Sequence, residues 1–319
     1  MRIAFVGKGG SGKTTLSALF IRELTRLGRP VVAVDADINQ HLGAALGLEE
    51  AQLDALTPMS AVLPEIKEHL RGSNPRIPTA AEMVKTTPPG AGSRLIRFAE
   101  SSPLDAWCAL VLGGELAGAR LMVTGAFAEQ DLGVSCYHSK VGAAELYLNH
   151  LIDGPGEYCV LDMTAGADAF ASGLFTRFDV TFLVVEPTRK SVSVYRQYTE
   201  YAAEYGIAVR VVGNKVVDEQ DVEFLRAEAG ADLVGWMGDS RYVRALDRGQ
   251  HPEFASFEPA GRELLGCMLA EVDATVRDHG RMTSLAHLFH SKNALAWANR
   301  AAGTDVTLQI DPEFAVPLA

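Results

Sequence analysis

The chemistry most legible in this chain lies in one loop, Gly7-Lys8-Gly9-Gly10-Ser11-Gly12-Lys13-Thr14-Thr15. It satisfies G-x-x-x-x-G-K-[ST], follows a short apolar run, Ile3 to Val6, and precedes a helical pattern from Leu16 to Leu27. In that setting the glycines let successive backbone N–H groups turn inward around an anion, and a helix starting at Lys13 adds the positive end of its dipole. Gly9, Gly10, Ser11, Gly12, Lys13, Thr14 and Thr15 then form a phosphate cradle. Lys13 reaches the terminal phosphates and the Thr14 hydroxyl is placed to hold Mg²⁺. A second lysine, Lys8, stands inside the loop, where phosphate binding alone needs only Lys13; the competing reading of Lys8 is a solvated loop lysine.

Acids follow at spacings that suit the same chemistry. Asp35-Ala36-Asp37 closes a second apolar run, Val31 to Val34, with Asn39 close behind. Two carboxylates one residue apart at the carboxyl end of a strand suit a segment near Mg²⁺ and the attacking water. Taken alone, the pair equally suits a helix N-cap. Asp162 ends the run Tyr158 to Leu161 and is followed by Met163-Thr164-Ala165-Gly166. An acid on the Mg²⁺ water shell, then a glycine whose N–H can meet the γ-phosphate, is the expected pattern there. Asn214-Lys215 follows another strand, and a carboxamide matches the donor and acceptor of adenine N6 and N7.

The elements that must hold these residues read as apolar strands alternating with helices: Leu121 to Val123, Val141 to Leu151 (helical), Tyr158 to Asp162, Phe182 to Val185, Val192 to Tyr205 (helical), Val209 to Val212 and Leu233 to Trp236. That order predicts an α/β fold, a doubly wound and mostly parallel sheet with helices on both faces. Two helices, Pro259 to Val276 and Thr283 to Ala302, end the chain. We expect a nucleotide-binding domain over 1–270, with an irregular insertion at about 50–118, and a C-terminal helical extension over 271–319. Seven prolines break the insertion into short pieces, read as surface helices, and Ser73 to Ser93 is expected to be its mobile loop. In the extension, His287 and His290 share a helix face, with His279 upstream, and are read as surface or packing residues; Phe289 and Trp297 are expected in the core.

Composition narrows the partners. A formal charge of −11 over 319 residues, with no basic run, argues against a nucleic-acid surface. No apolar stretch is long enough to span a membrane, and the start runs directly into a strand, which leaves no room for a signal peptide. The four cysteines are widely spaced without C-x-x-C, so structural disulfides are not expected, and use of a nucleoside triphosphate points to the cytoplasm.

With its second lysine, the loop resembles the deviant Walker A of the MinD/ParA/nitrogenase iron protein group of P-loop ATPases. Residues Leu121 to Val185, and Val184-Val185-Glu186-Pro187-Thr188 in particular, resemble the family of the carbon monoxide dehydrogenase accessory ATPase, CooC. The resemblance covers most of 1–250. It implies an ATP-dependent homodimer on the iron-protein fold, with ATP and Mg²⁺ bound. Lys8 would cross the dimer interface to the partner's nucleotide and act with Lys13 and Asp37 in hydrolysis. Asp35 and Asp162 would help hold the magnesium shell with Thr14, Asp37 would polarise the attacking water, and Asn214 would contact adenine.

The resemblance further implies a client protein, a metalloenzyme that receives nickel. In that family a Cys-x-Cys offers thiolates from two subunits to one metal. This chain departs from it with Cys136-Tyr137-His138, a set that suits Zn²⁺ or Ni²⁺ across a dimer axis only if two chains pair. The competing reading is a half-buried Cys beside a surface His. Two other functions stand against the leading one. A ParA/MinD-type positioning ATPase would bind DNA or membrane as a dimer, which the acidic balance disfavours. A nucleotide sensor with negligible turnover is disfavoured by Asp37 and Asp162.

Overall fold

The computed structural model describes residues 1–126, 138–164, 170 and 173–317. Ten strands are formed: β1 (Arg2–Gly7), β2 (Val31–Ala36), β3 (Ile96–Arg97), β4 (Ala109–Val111), β5 (Arg120–Val123), β6 (Leu151–Ile152), β7 (Tyr158–Met163), β8 (Val180–Val185), β9 (Val209–Val216) and β10 (Leu233–Gly238) among the described residues. Eight make one sheet, ordered β10-β9-β8-β1-β7-β2-β5-β4, and every pairing is parallel except β4 with β5. The helices are α1 (Lys13–Arg26), α2 (Leu42–Ala45), α3 (Glu50–Asp54), α4 (Leu63–Arg71), α5 (Pro103–Cys108), α6 (His138–His150), α7 (Arg189–Glu204), α8 (Glu219–Ala229), α9 (Arg241–Asp247), α10 (Pro259–Ala274), α11 (His279–Asn293) and α12 (Asn299–Ala302).

The central strands are buried throughout and mostly apolar because both faces are covered, with Asp35 and Asp162 as the acids near their carboxyl ends. Their period of two splits them between two cores. Ala4, Val6, Val32, Val34, Leu161 and Leu183 face the side of α6, α7 and α8, whereas Ile3, Phe5, Val31, Ala33, Val160 and Phe182 face α1 and α10. Helix starts follow local chemistry. Thr188 and Asp218 cap α7 and α8 with side-chain oxygens, and Pro259 opens α10 where its missing N–H costs nothing. Among the described residues no helix is long and apolar enough to cross a membrane.

Three expectations need correction. The stretch from Ser73 to Ser93 is packed rather than loose: Ile77, Met83 and Thr87 are fully buried, the Thr86 hydroxyl meets His290 Nδ1 at 3.0 Å, and Thr87 Oγ1 donates to Gln309 Oε1 at 2.8 Å. Its prolines prevent long elements, but its apolar residues are paired with a segment some two hundred residues away, which no local pattern reveals. The same insertion is not only surface helices, since β4 forms the antiparallel edge of the main sheet. Trp297 is 38% exposed, its indole N–H held by Asn293 on its own helical face. Phe289 is partly buried against Phe175 and Tyr205, and His290 is fully buried and satisfied, with Nε2 on the Val306 carbonyl.

A buried ionic cluster ties the C-terminal helices to the sheet. Arg277, between α10 and α11, bridges Asp153 and Asp179, and Arg2 Nε donates to Asp153 at 2.8 Å. Burial alone would push the Asp153 carboxyl up, but Arg2 and Arg277 outweigh it and hold the group well below the usual range. Arg277→Met is therefore expected to lower the unfolding free energy by about 3 kcal/mol, because two buried carboxylates lose their common partner. Since the folded-state pKa of Asp153 is depressed, its stabilisation is present above the unfolded value of about 4 and lost as pH falls below it. Urea unfolding at pH 7 and pH 3 should show a steeper loss on acidification in the wild type than in Arg277→Met.

Candidate nucleotide-binding site

The loop between β1 and α1 lies at the carboxyl ends of the central strands. Gly12 caps α1 in a left-handed conformation, φ 95°, with no side chain on the first-turn N–H groups. They are left for an anion. Lys13, at 6% exposure, points its ammonium at Asp37, 3.8 Å away. Thr14 Oγ1 donates to Asp162 Oδ2 at 2.5 Å. The strand register explains the grouping, because Asp35 on β2 is the direct neighbour of Asp162 on β7. Lys13, Thr14, Asp35, Asp37 and Asp162, far apart in the chain, thus meet at one point.

Three acids with one buried lysine raise the cost of negative charge. Burial pushes Asp162 well above the carboxylate range, and Asp35 adds to the rise, against Thr14 and Lys13. Asp162 Oδ1 is buried without a hydrogen bond. A buried, unpartnered carboxylate oxygen beside a hydroxyl is the hard oxygen set that Mg²⁺ takes. Thr14 and Asp162 fit the ion and would hold it.

Asp35 differs. Its two oxygens accept the N–H groups of Asp37 and Leu42 at 3.2 and 2.8 Å. Burial lifts it to about 7, against those two hydrogen bonds. In this structure it braces the segment that carries Asp37 and starts α2.

Asn214 and Lys215 lie within β9 rather than beyond it, and both grip the loop. Asn214 Nδ2 donates to the Ser11 carbonyl at 2.7 Å, and Lys215 Nζ to that of Gly10 at 2.6 Å. Asn214 is 5% exposed, and its amide nitrogen is committed to the loop backbone. Lys8 turns toward its own subunit, its ammonium 3.5 Å from Glu186 Oε2. Sequence reasoning did not assign Glu186 a role. It stands just past the end of a buried strand, within the Val184-to-Thr188 stretch that carries the family resemblance.

Gly166 and Cys136 fall outside the described residues, and His138 is described only as the first residue of α6. Among the described residues no three His, Cys, Asp or Glu side chains gather as a metal site. Cys108 and Cys159 are free and buried, with burial first lifting both thiols to about 12, so they are poor ligands.

A family model described as the CobQ/CobB/MinD/ParA nucleotide binding domain matches residues 3–298. The chain belongs to this family. Its CobQ/CobB/MinD/ParA-type domain is 28% identical over 250 residues to the carbon monoxide dehydrogenase accessory protein CooC of Rhodospirillum rubrum, covering 78% of this chain and 87% of that one. An uncharacterized ATP-binding protein of Methanocaldococcus jannaschii is 29% identical, over 74% of this chain and 84% of the relative. Among solved structures, the MinD cell division protein of Aquifex aeolicus superposes with a TM-score of 0.55 at 18% identity, covering 86% of this chain and 98% of that one. The domain is thus a MinD/ParA-like P-loop fold with the second loop lysine, carrying additional C-terminal helices.

Proposed function

We propose that this CobQ/CobB/MinD/ParA-type protein is a Mg²⁺-dependent ATP hydrolase that works as an ATP-gated homodimer and serves a client metalloenzyme as an accessory factor. The observation that carries the reading is the join of Lys13, Thr14, Asp37 and Asp162 beneath a loop whose second lysine stands free of that cluster. Bound Mg²⁺ would neutralise charge on the β- and γ-phosphate oxygens. Lys13 would hold the terminal phosphates, and the loop N–H groups from Gly9 to Thr15 would cradle them. Asp37, already oriented by the N–H of Asn39 at 3.0 Å, would position the attacking water. Lys8 of each chain would reach the partner's nucleotide and stabilise the transferring phosphoryl group. Asn214, Gly166 and Asp35 would complete the nucleotide and magnesium surroundings.

The accessory role rests on similarity to a protein named for serving carbon monoxide dehydrogenase. Nickel as cargo is the same inference carried one step further, with Cys136 and His138 as the pair to test. The deciding experiment is light scattering on the purified chain with MgATP, MgADP and a non-hydrolysable ATP analogue. The expected result is a monomer with ADP and a dimer with the analogue; a monomer under saturating analogue would end the reading.

A further inference from the structure

Glu186 lies just past the end of β8, and its backbone is fixed by the cap of α7: its N–H meets Ser191 Oγ at 3.0 Å, and its carbonyl accepts from Thr188 N at 2.7 Å. Its carboxylate therefore works as a fixed post. One oxygen is held by Lys215 Nζ at 2.6 Å, the other lies 3.5 Å from Lys8 Nζ. Lys215 takes a left-handed backbone, φ 59°, unusual for a side chain of its size, which marks a position held by its surroundings. Its ammonium simultaneously binds the Gly10 carbonyl of the loop. Two lysines thus share one carboxylate, and the nearer of them is anchored to the loop.

Resting on the dimer reading above, we propose that Glu186 is a positioning residue that holds Lys8 against its own subunit and so sets the concentration at which the ATP dimer closes. For Lys8 to cross, it must leave Glu186. The triphosphate offers more negative charge than one carboxylate, so the exchange favours the phosphates. Lys215 stays on Glu186 when Lys8 leaves, so the carboxylate is not stranded and the exchange stays reversible. The slight burial of Glu186 would push its carboxyl up, but Lys215 and then Lys8 outweigh it and keep it charged. Two such pairs break per dimer. Each partly exposed pair weighs about two- to fivefold in an equilibrium, so their joint effect is about tenfold.

The test measures ATPase activity against protein concentration, together with association under the non-hydrolysable analogue. In Glu186→Gln the midpoint concentration should fall about tenfold while kcat of the closed dimer is retained. In Lys215→Gln both oxygens of Glu186 become free for Lys8, and the midpoint should rise about threefold. A merely structural role would shift both variants the same way and would also weaken binding of a fluorescent ATP analogue to the monomer. Shifts in one direction, or an unchanged midpoint in Glu186→Gln, would overturn the proposal while leaving the dimer reading intact. A wild type that never associates with the analogue removes the dimer reading instead.

Discussion

Lys8→Ala should bind ATP as the wild type does and yet hydrolyse it at least about 10³-fold more slowly. In the isolated chain Lys8 is partly exposed and paired with Glu186, apart from the Lys13–Asp37 and Thr14–Asp162 contacts of the proposed phosphate site. Removing it leaves that cradle in place, so the ground-state affinity of one chain should be preserved. What disappears is a cation that would meet charge developing on the partner's phosphoryl group, in a water-poor interface where its effect is largest. The dimer should disappear with it, because each chain contributes one such contact. Equilibrium titration with a fluorescent nucleotide, steady-state phosphate release and light scattering read the three parts separately. Turnover at the wild-type rate in Lys8→Ala would remove the shared-site mechanism.

Gly12→Ala should damage binding itself. Gly12 adopts φ 95°, where an L side chain costs about 1–2 kcal/mol. A Cβ there would also come within 2.1 Å of Asn214 Nδ2. That amide cannot step aside freely, since it is buried and donates to the Ser11 carbonyl. Breaking this hydrogen bond adds about 1 kcal/mol, for a total loss of about 2–3 kcal/mol of stability. The relaxed loop would also misdirect N–H groups meant for phosphate. Losing one or two charge-assisted hydrogen bonds lowers ATP affinity about 100-fold. Calorimetric titration and urea unfolding measure the two effects. Wild-type affinity in Gly12→Ala would show that the loop does not bind phosphate in the conformation seen here.

The readable parts of this molecule are those whose information is contiguous. The strand from Ile3 to Val6, the glycine loop and the helix from Lys13 follow from spacing, and the doubly wound sheet follows from apolar runs separated by helical stretches. The places of Asp35 and Asp162 followed from the apolar runs they close, with Asp37 just past the end of β2. The contacts of Glu186 were not legible, because its partners Lys8 and Lys215 come from two other strand ends. Asn214 was read as a base contact, while its amide is turned to the loop backbone; that bond depends on how closely β9 approaches the loop. The packing of Ser73 to Ser93 was hidden for the same reason, its partners lying in the last third of the chain.

The residue types along the chain were enough to point to a chemistry: a glycine-rich loop with two lysines, acids at strand ends, and a fold that brings strand ends together. They were enough because a turn of glycines and the start of a helix are local structures, specified by neighbours in sequence. Folding in three dimensions settled where the mobile charges rest. It set Asp35 beside Asp162 through strand register, seated Lys13 against Asp37, and turned Lys8 onto Glu186. Those pairings rest on distances between strands remote in sequence, and Coulomb energy depends on distance in space, not on order along the chain.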